Sequence, residues 1–161
     1  MKIAIIYASK HGTTEKVAGA IAEKLSDPHI VKVFALKKSP NPDISDFDMV
    51  ILGTPIYAGK ASKKMKAFCE KNKPVLLSKK TGLFVCGMHL DAEQREKELK
   101  EAYPIDLWNK AKVTEFLGGE FLFDKMNFIE RLIIKKMIKI NKTVHRILWD
   151  AIDDFVEIVQ H

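Results

Sequence analysis

The sequence lacks long apolar runs and contains only two cysteines, Cys69 and Cys86, among its 161 residues. A helix that spans a membrane needs about 20 consecutive apolar residues, so the sequence predicts no such helix. The cysteines form no C-x-x-C pair and accompany no histidine spacing typical of zinc, which argues against a metal site. We therefore expect both to be reduced thiols in a cytoplasmic protein.

The composition is that of a folded domain. Hydrophobic residues make up 47% of the chain and charged residues 30%, which excludes an intrinsically disordered class. The length fits one domain over residues 1–161. The net charge of +6 fits either an anionic partner or a generally lysine-rich protein, and both interpretations stay open. We expect no nucleic acid among the partners.

Predicted strands and helices alternate along the chain. Short apolar segments predict strands at residues 2–8, 30–35, 49–53, 81–86 and 112–121, the last bent at its glycine pair. Helical spacing predicts helices at residues 13–25, 61–72, 91–102, 127–139 and 143–159. This alternation favours an α/β fold with a doubly wound, five-stranded parallel sheet. Ligands of such sheets bind beyond the carboxyl ends of the strands, so we expect function in the loops after strands one, three and four.

The loop after the first predicted strand combines hydroxyl groups, cations and a glycine at the start of a helix. Its residues are Ser9, Lys10, His11, Gly12, Thr13 and Thr14. Backbone N–H groups at a helix start lack partners and carry a positive dipole, which suits a phosphate. A simple helix cap explains the same hydroxyl residues, so on this loop alone both interpretations stay open.

The segment around this loop, residues 5–21, resembles the signature of the flavodoxin family. Ser9 is followed by Gly12, Thr14 and Ala18 at the spacing of that signature. The resemblance implies a flavodoxin-like fold with strand order 2-1-3-4-5 and a loop that wraps the phosphate of flavin mononucleotide (FMN). A nucleotide-triphosphatase loop fits less well, because the segment 53–61 has one residue too many and ends in Ala61 instead of a hydroxyl residue.

Two further loops resemble the flavodoxin loops that contact the flavin ring. The first consists of Thr54, Pro55, Ile56, Tyr57, Ala58 and Gly59, and the second of Cys86, Gly87, Met88 and His89. Tyr57 offers an aromatic face for stacking, although a proline turn with a surface tyrosine explains the same residues. Electron-carrying flavodoxins often have a tyrosine in the second loop. Met88 and His89 in its place predict a ring face that is less covered, or covered by softer groups, and open to a substrate.

The predicted site is rich in cations. They are Lys10, His11, Lys60, Lys63, Lys64 and His89, and the nearest acid in the sequence is Asp91. Positive charge favours a reduced, anionic flavin and raises its potential. We therefore expect an FMN-dependent oxidoreductase with a quinone-like acceptor. The alternative is a soluble electron-transfer flavodoxin that serves a redox partner protein.

Basic residues outnumber acidic ones in an insertion at about residues 122–142. The helix there is predicted to bury one face and to leave Ile134 and Ile138 among lysines. The residues of the predicted buried face are Met126, Ile129, Leu132, Ile133, Met137 and Ile140. Such a helix fits contact with an anionic membrane, a partner or a second copy in a homodimer. Residues 118–137 resemble the menaquinone-dependent protoporphyrinogen dehydrogenases, which implies a quinone acceptor and a porphyrinogen substrate.

Overall fold

A parallel sheet forms the centre of the computed structural model, which describes residues 1–89, 91–138 and 143–161. The strands are β1 (Lys2–Tyr7), β2 (Ile30–Ala35), β3 (Met49–Tyr57), β4 (Lys60–Ala61), β5 (Lys80–Cys86), β6 (Val113–Phe116), β7 (Gly118–Phe121) and β8 (Val144–Ile147). The main sheet runs β2-β1-β3-β5-β6, and the short β4 pairs antiparallel with the end of β3. Counting only the parallel strands, this is the predicted order 2-1-3-4-5, so the predicted fold class is confirmed.

Helices cover both faces of this sheet. They are α1 (Thr13–Leu25), α2 (Lys63–Ser78), α3 (Ala92–Ala102), α4 (Ile105–Lys110), α5 (Phe128–Ile138) and α6 (Trp149–Gln160). Side chains alternate between the faces of a strand, and β1 consequently contributes to two cores. Ile3 and Ile5 pack with α1 and α6, whereas Ala4 and Ile6 pack with α2, α3 and α4. No helix within the described ranges is both long and apolar enough to cross a membrane.

The last predicted strand, residues 112–121, is two strands in the structure. β6 belongs to the parallel sheet and ends at Phe116, while β7 pairs antiparallel with β8. The predicted helix at 143–159 is therefore wrong at its start, and α6 begins at Trp149. The division into β6 and β7 is caused by a turn at Gly118, whose φ of 73° lies in the left-handed region. A side chain at Gly118 would collide with the backbone carbonyl of Arg146 in β8.

Helix α5 and the turn before it lie between β7 and β8. The prediction that Met126 is buried is confirmed, but Ile129, Leu132 and Ile133 are exposed, so their predicted burial is wrong. Among the side chains of this helix that the structure describes, the buried one is Glu130, which contacts Lys10 and His11 of the first loop. The side chains of Ile134, Met137 and Ile138, and all of Ile140, lie outside what the structure describes.

Candidate functional site

A cavity of about 560 Å³ lies at the carboxyl ends of β1, β3 and β5. From the first predicted loop it is lined by Ser9, Lys10, His11, Thr13 and Thr14; from the second by Pro55, Ile56, Tyr57, Ala58 and Gly59; and from the third by Cys86, Gly87, Met88 and His89. The three loops thus meet because parallel strands end at one edge of the sheet. Two predicted residues, Gly12 and Thr54, lie behind this lining. The Thr54 hydroxyl instead accepts a hydrogen bond from the Ser62 N–H at 3.1 Å.

The first loop leaves the start of α1 open toward this cavity. Gly12, with a φ of 100°, precedes the helix, and its N–H donates to the Ser9 hydroxyl at 3.0 Å. Gly12 supplies no capping side chain to the N–H groups that follow. The hydroxyl of Thr14 is buried beside the Cys86 thiol and has no oxygen or nitrogen partner in the described part of the chain. Unpaired N–H groups and a buried hydroxyl together form a site for an anion.

A carboxylate from α5 closes one side of this loop. Glu130 lies 2.6 Å from the Lys10 ammonium and 3.0 Å from His11 Nε2. Asn127 also orients it, because the Asn127 side-chain amide donates to the Glu130 carboxylate at 3.2 Å. Burial alone would raise the pKa of Glu130, but the hydrogen bond from Lys10 and the charges of His11 and Lys10 outweigh it and lower this pKa. The cations at the loop therefore have an acidic partner that is distant in sequence.

Two more buried carboxylates balance cations around the cavity. Glu120, in β7, accepts from the Thr13 hydroxyl at 3.2 Å and lies 3.1 Å from the Lys16 ammonium and 2.6 Å from His145. Glu98, in α3, lies 3.1 Å from His89 Nε2. Burial raises the pKa of Glu98, and the nearby His89 offsets part of that rise.

Arg146, which lines the cavity, has no acidic partner among the described contacts. The expectation that Lys10, His11 and His89 lack nearby acids is nevertheless wrong. It relied on Asp91 as the nearest acid in sequence, whereas the acids that contact the cations come from α3, α5 and β7. Lys60, Lys63 and Lys64 are exposed and lie outside the cavity lining.

The second loop reverses the chain between β3 and β4. Ala58 and Gly59 form the turn with positive φ values of 49° and 72°. The ring of Tyr57 lies beneath the Lys10 ammonium, which is 4.3 Å from the ring centroid, a cation–π distance. The Tyr57 hydroxyl is buried and has no hydrogen-bond partner among the residues described. The tyrosine is thus part of the cavity wall, not a surface side chain.

The third loop is covered by the hairpin of β7 and β8. The Gly87 N–H donates to the Gly118 carbonyl at 2.9 Å, and Met88 packs against the buried pair Phe121 and Met126. Phe121 and Met126 therefore lie beside Met88 in the cavity wall, and the expectation of a flavin face that is open or covered by softer groups stays a prediction. Cys86 lines the cavity but is almost entirely buried, and burial raises the pKa of its thiol to about 12.

Five cavity residues were not among the predicted site residues. They are Asp91, Glu120, Phe121, Met126 and Arg146. Four of them reach the cavity through the β7–β8 hairpin and the chain it encloses. No local sequence pattern predicts the pairing of β7 with β8, because it joins segments on either side of the insertion.

Comparisons with known proteins agree on one family. The sequence matches the family model described as a flavodoxin domain over residues 4–146. It is similar to the flavodoxin of Buchnera aphidicola, with 31% identity over 157 residues, which cover 91% of each chain. The structure resembles oxidised flavodoxin 1 from Bacillus cereus, with a TM-score of 0.61 and 18% identity over 100% of this chain and 99% of that one.

A second solved structure resembles this fold to a comparable degree. It is the Fusobacterium nucleatum flavodoxin bound to flavin mononucleotide, with a TM-score of 0.55 and 18% identity. The match covers 99% of this chain and 96% of that chain. At such identities, the two solved structures show a shared fold and nothing finer.

Proposed function

Because the chain belongs to the flavodoxin family, we propose that it binds FMN in the cavity and passes electrons to a redox partner protein. The start of α1 carries this proposal. The Thr14 hydroxyl there is buried with no oxygen or nitrogen partner among the described residues, and it lies beside N–H groups that Gly12 does not cap. A phosphate oxygen would supply the acceptors that these donors lack.

The residues around the cavity suit the separate parts of FMN. The hydroxyls of Ser9 and Thr14 would donate to the phosphate, and Lys10 would offset its charge. The Thr13 hydroxyl is less available because it donates to Glu120. The ring of Tyr57 offers an aromatic face to the flavin ring. Bound FMN supplies reversible electron transfer, while the protein holds and orients it.

The charge distribution favours the electron carrier over a flavoenzyme with a strongly basic site. Lys10 and His11 contact Glu130, and His89 contacts Glu98. A cation paired with a carboxylate contributes much less to the potential at a third point than a free cation does. The reason for expecting a raised flavin potential is therefore weak.

One observation supports a second candidate, an FMN-dependent oxidoreductase of the quinone or porphyrinogen type. Phe121, Met126 and Met88 form an apolar wall of the cavity that comes partly from the insertion. An apolar wall beside a flavin would accept a flat hydrophobic molecule. The resemblance of residues 118–137 to the protoporphyrinogen dehydrogenases motivates the same candidate, which stays a prediction.

FMN binding is tested by comparing FMN with riboflavin, which lacks the phosphate. We expect the reconstituted protein to show flavin absorbance and to bind FMN more tightly than riboflavin. Thr14→Val should weaken FMN binding about tenfold or more, because a hydrogen bond to a charged group is lost, and should leave riboflavin binding unchanged. Thr81→Val alters an equally buried threonine far from the cavity and serves as the control. Equal affinity for FMN and riboflavin would contradict the assignment.

The carrier and the enzyme are distinguished by turnover. Purified, FMN-loaded protein should exchange electrons with a protein redox partner and show no sustained reduction of a soluble quinone or oxidation of a porphyrinogen. Sustained turnover of either small molecule would favour the second candidate. Replacing Met126 by alanine should then lower that turnover, since it shortens the apolar wall.

A further inference from the structure

Helix α5 exposes a group of large apolar side chains to solvent. The exposed fractions are 75% for Phe128, 68% for Ile129, 52% for Leu132 and 38% for Ile133. Positions i, i+1, i+4 and i+5 lie together on one side of a helix. Exposed apolar residues elsewhere, such as Ile105 in α4 and Ile158 in α6, are scattered between elements. Scattered residues need no explanation, whereas a contiguous apolar face marks an interaction surface.

The charges around this face are positive. Lys135 and Lys136 are exposed on the same helix. The helix's acid, Glu130, is turned inward to Lys10 and His11. The exposed acid in this stretch is Asp124, which precedes the helix. The outer face of α5 is therefore apolar and cationic, which is complementary to an apolar, anionic surface.

Helix α5 is also attached to the body of the protein on its inner side. Glu130 contacts the first loop, and the Arg131 guanidinium donates from Nε to the Phe123 carbonyl at 2.9 Å. Met126, just before the helix, is buried against Phe121. These contacts hold the helix with its apolar face directed outward.

We propose that the outer face of α5 binds the surface of a membrane that contains anionic lipids. Basic helices with phenylalanine, leucine and isoleucine on one side lie in the headgroup region with that side buried. The centre of a protein–protein interface is usually depleted of lysine, so the lysines beside this face favour lipid over a protein partner. The proposal is independent of FMN binding, because it concerns the outer side of α5 and not the cavity.

Sedimentation of the full-length protein with lipid vesicles tests this proposal. We expect binding to phosphatidylcholine vesicles that contain about 30% phosphatidylserine, with much weaker binding to phosphatidylcholine alone and a decrease as salt rises. The double variant Ile129→Gln/Leu132→Gln should bind the anionic vesicles about tenfold or more weakly, since it removes apolar area that the lipid would bury. Ile105→Gln/Ile158→Gln removes comparably exposed isoleucines elsewhere and should bind like the unmodified protein.

A charge variant tests the electrostatic part without altering the apolar face. Lys135→Glu/Lys136→Glu should lower binding at least about fivefold per lysine, while Lys37→Glu/Lys38→Glu, an exposed pair after β2, should lower it much less. Failure to sediment with anionic vesicles would overturn the proposal. So would equal loss in a control variant, or a dimer that Ile129→Gln/Leu132→Gln dissociates while vesicle binding persists.

Discussion

The contact between Glu130 and Lys10 gives a sharp test of how α5 is held to the first loop. The substitution Glu130→Gln keeps the shape of the side chain but removes its charge. It leaves Lys10 and His11 without their carboxylate partner, which lies 2.6 Å and 3.0 Å away, respectively. We expect the variant to have a lower unfolding free energy than the unmodified protein. We also expect its α5 to separate from the first loop more often.

The magnitude follows from how deeply the pair is buried. The Glu130 side chain is 9% exposed and Lys10 is 50% exposed. Breaking a fully buried ion pair costs about 3–5 kcal/mol, and an exposed pair is worth about 0–1 kcal/mol. A buried carboxylate with a half-exposed lysine lies between these cases, at about 2 kcal/mol. For a chain of 161 residues this corresponds to a fall in Tm of about 4–8 °C.

The chain provides a matched control in Glu96→Gln. Glu96 contacts Lys100 at 2.8 Å, and Lys100 is 49% exposed, but the Glu96 side chain is 64% exposed. The two lysines are equally exposed, so the pairs differ mainly in the burial of the carboxylate. We expect Glu96→Gln to change the unfolding free energy far less than Glu130→Gln does, because solvent screens an exposed pair, and thermal and urea denaturation can measure the difference.

The pH dependence gives this prediction a definite sign. Because the folded-state pKa of Glu130 is lowered, its stabilisation is present above the unfolded carboxyl pKa of about 4.3 and is lost as pH falls through the lower, folded value. The stability gap between the unmodified protein and Glu130→Gln should therefore close on acidification. Trypsin should also cleave α5 of this variant faster at neutral pH. Equal Tm shifts in Glu130→Gln and Glu96→Gln would refute the reasoning.

Three further predictions concern the hairpin, a buried acid and the thiols. Gly118→Ala should lower the unfolding free energy by about 2 kcal/mol or more, because it strains a left-handed residue against β8. Gly19→Ala, in open space on α1, should instead raise the unfolding free energy by about 0.5–1 kcal/mol. Urea denaturation measures both changes. Burial raises the pKa of Glu98, so native stability should fall from about pH 4 toward neutral pH, and this fall should be absent in Glu98→Gln. Cys69 and Cys86, whose burial raises each pKa to about 12, should resist alkylation at pH 8 until urea unfolds the protein; fast native labelling would contradict their burial.

The main sheet could be predicted from the sequence because its central strands β1, β3 and β5 each contain a short, continuous apolar run. The predicted bounds 13–25 and 30–35 coincide with α1 and β2. The region after β6 could not be predicted in the same way. Its hairpin pairs Gly118 with Ile147, which are far apart in sequence. Long-range pairing of this kind leaves little local signal.

The candidate site shows the same contrast between parts that the sequence predicts and parts that it does not. The three loops could be located because each directly follows a parallel strand, and parallel strands end at one edge. The acids that balance their cations could not be located, because Glu98, Glu120 and Glu130 reach the site through α3, β7 and α5. For α5 the helical pattern indicated which residues are apolar, but it could not show which side faces the body. The ion pair to the first loop decides that, and it turns the apolar side outward.

These carboxylates change what the net charge of +6 means for the protein. Charge influences a bound cofactor only through the potential at the cavity, and the described contacts pair Lys10, His11 and His89 there with buried acids. Cations on the exposed surface, such as Lys135 and Lys136 on α5, have no such buried carboxylate among their described contacts. Solvent and salt screen their effect over about 10 Å. The excess positive charge is therefore a property of the outer surface, where it governs encounters with anionic partners, and it is a poor guide to the potential of a flavin.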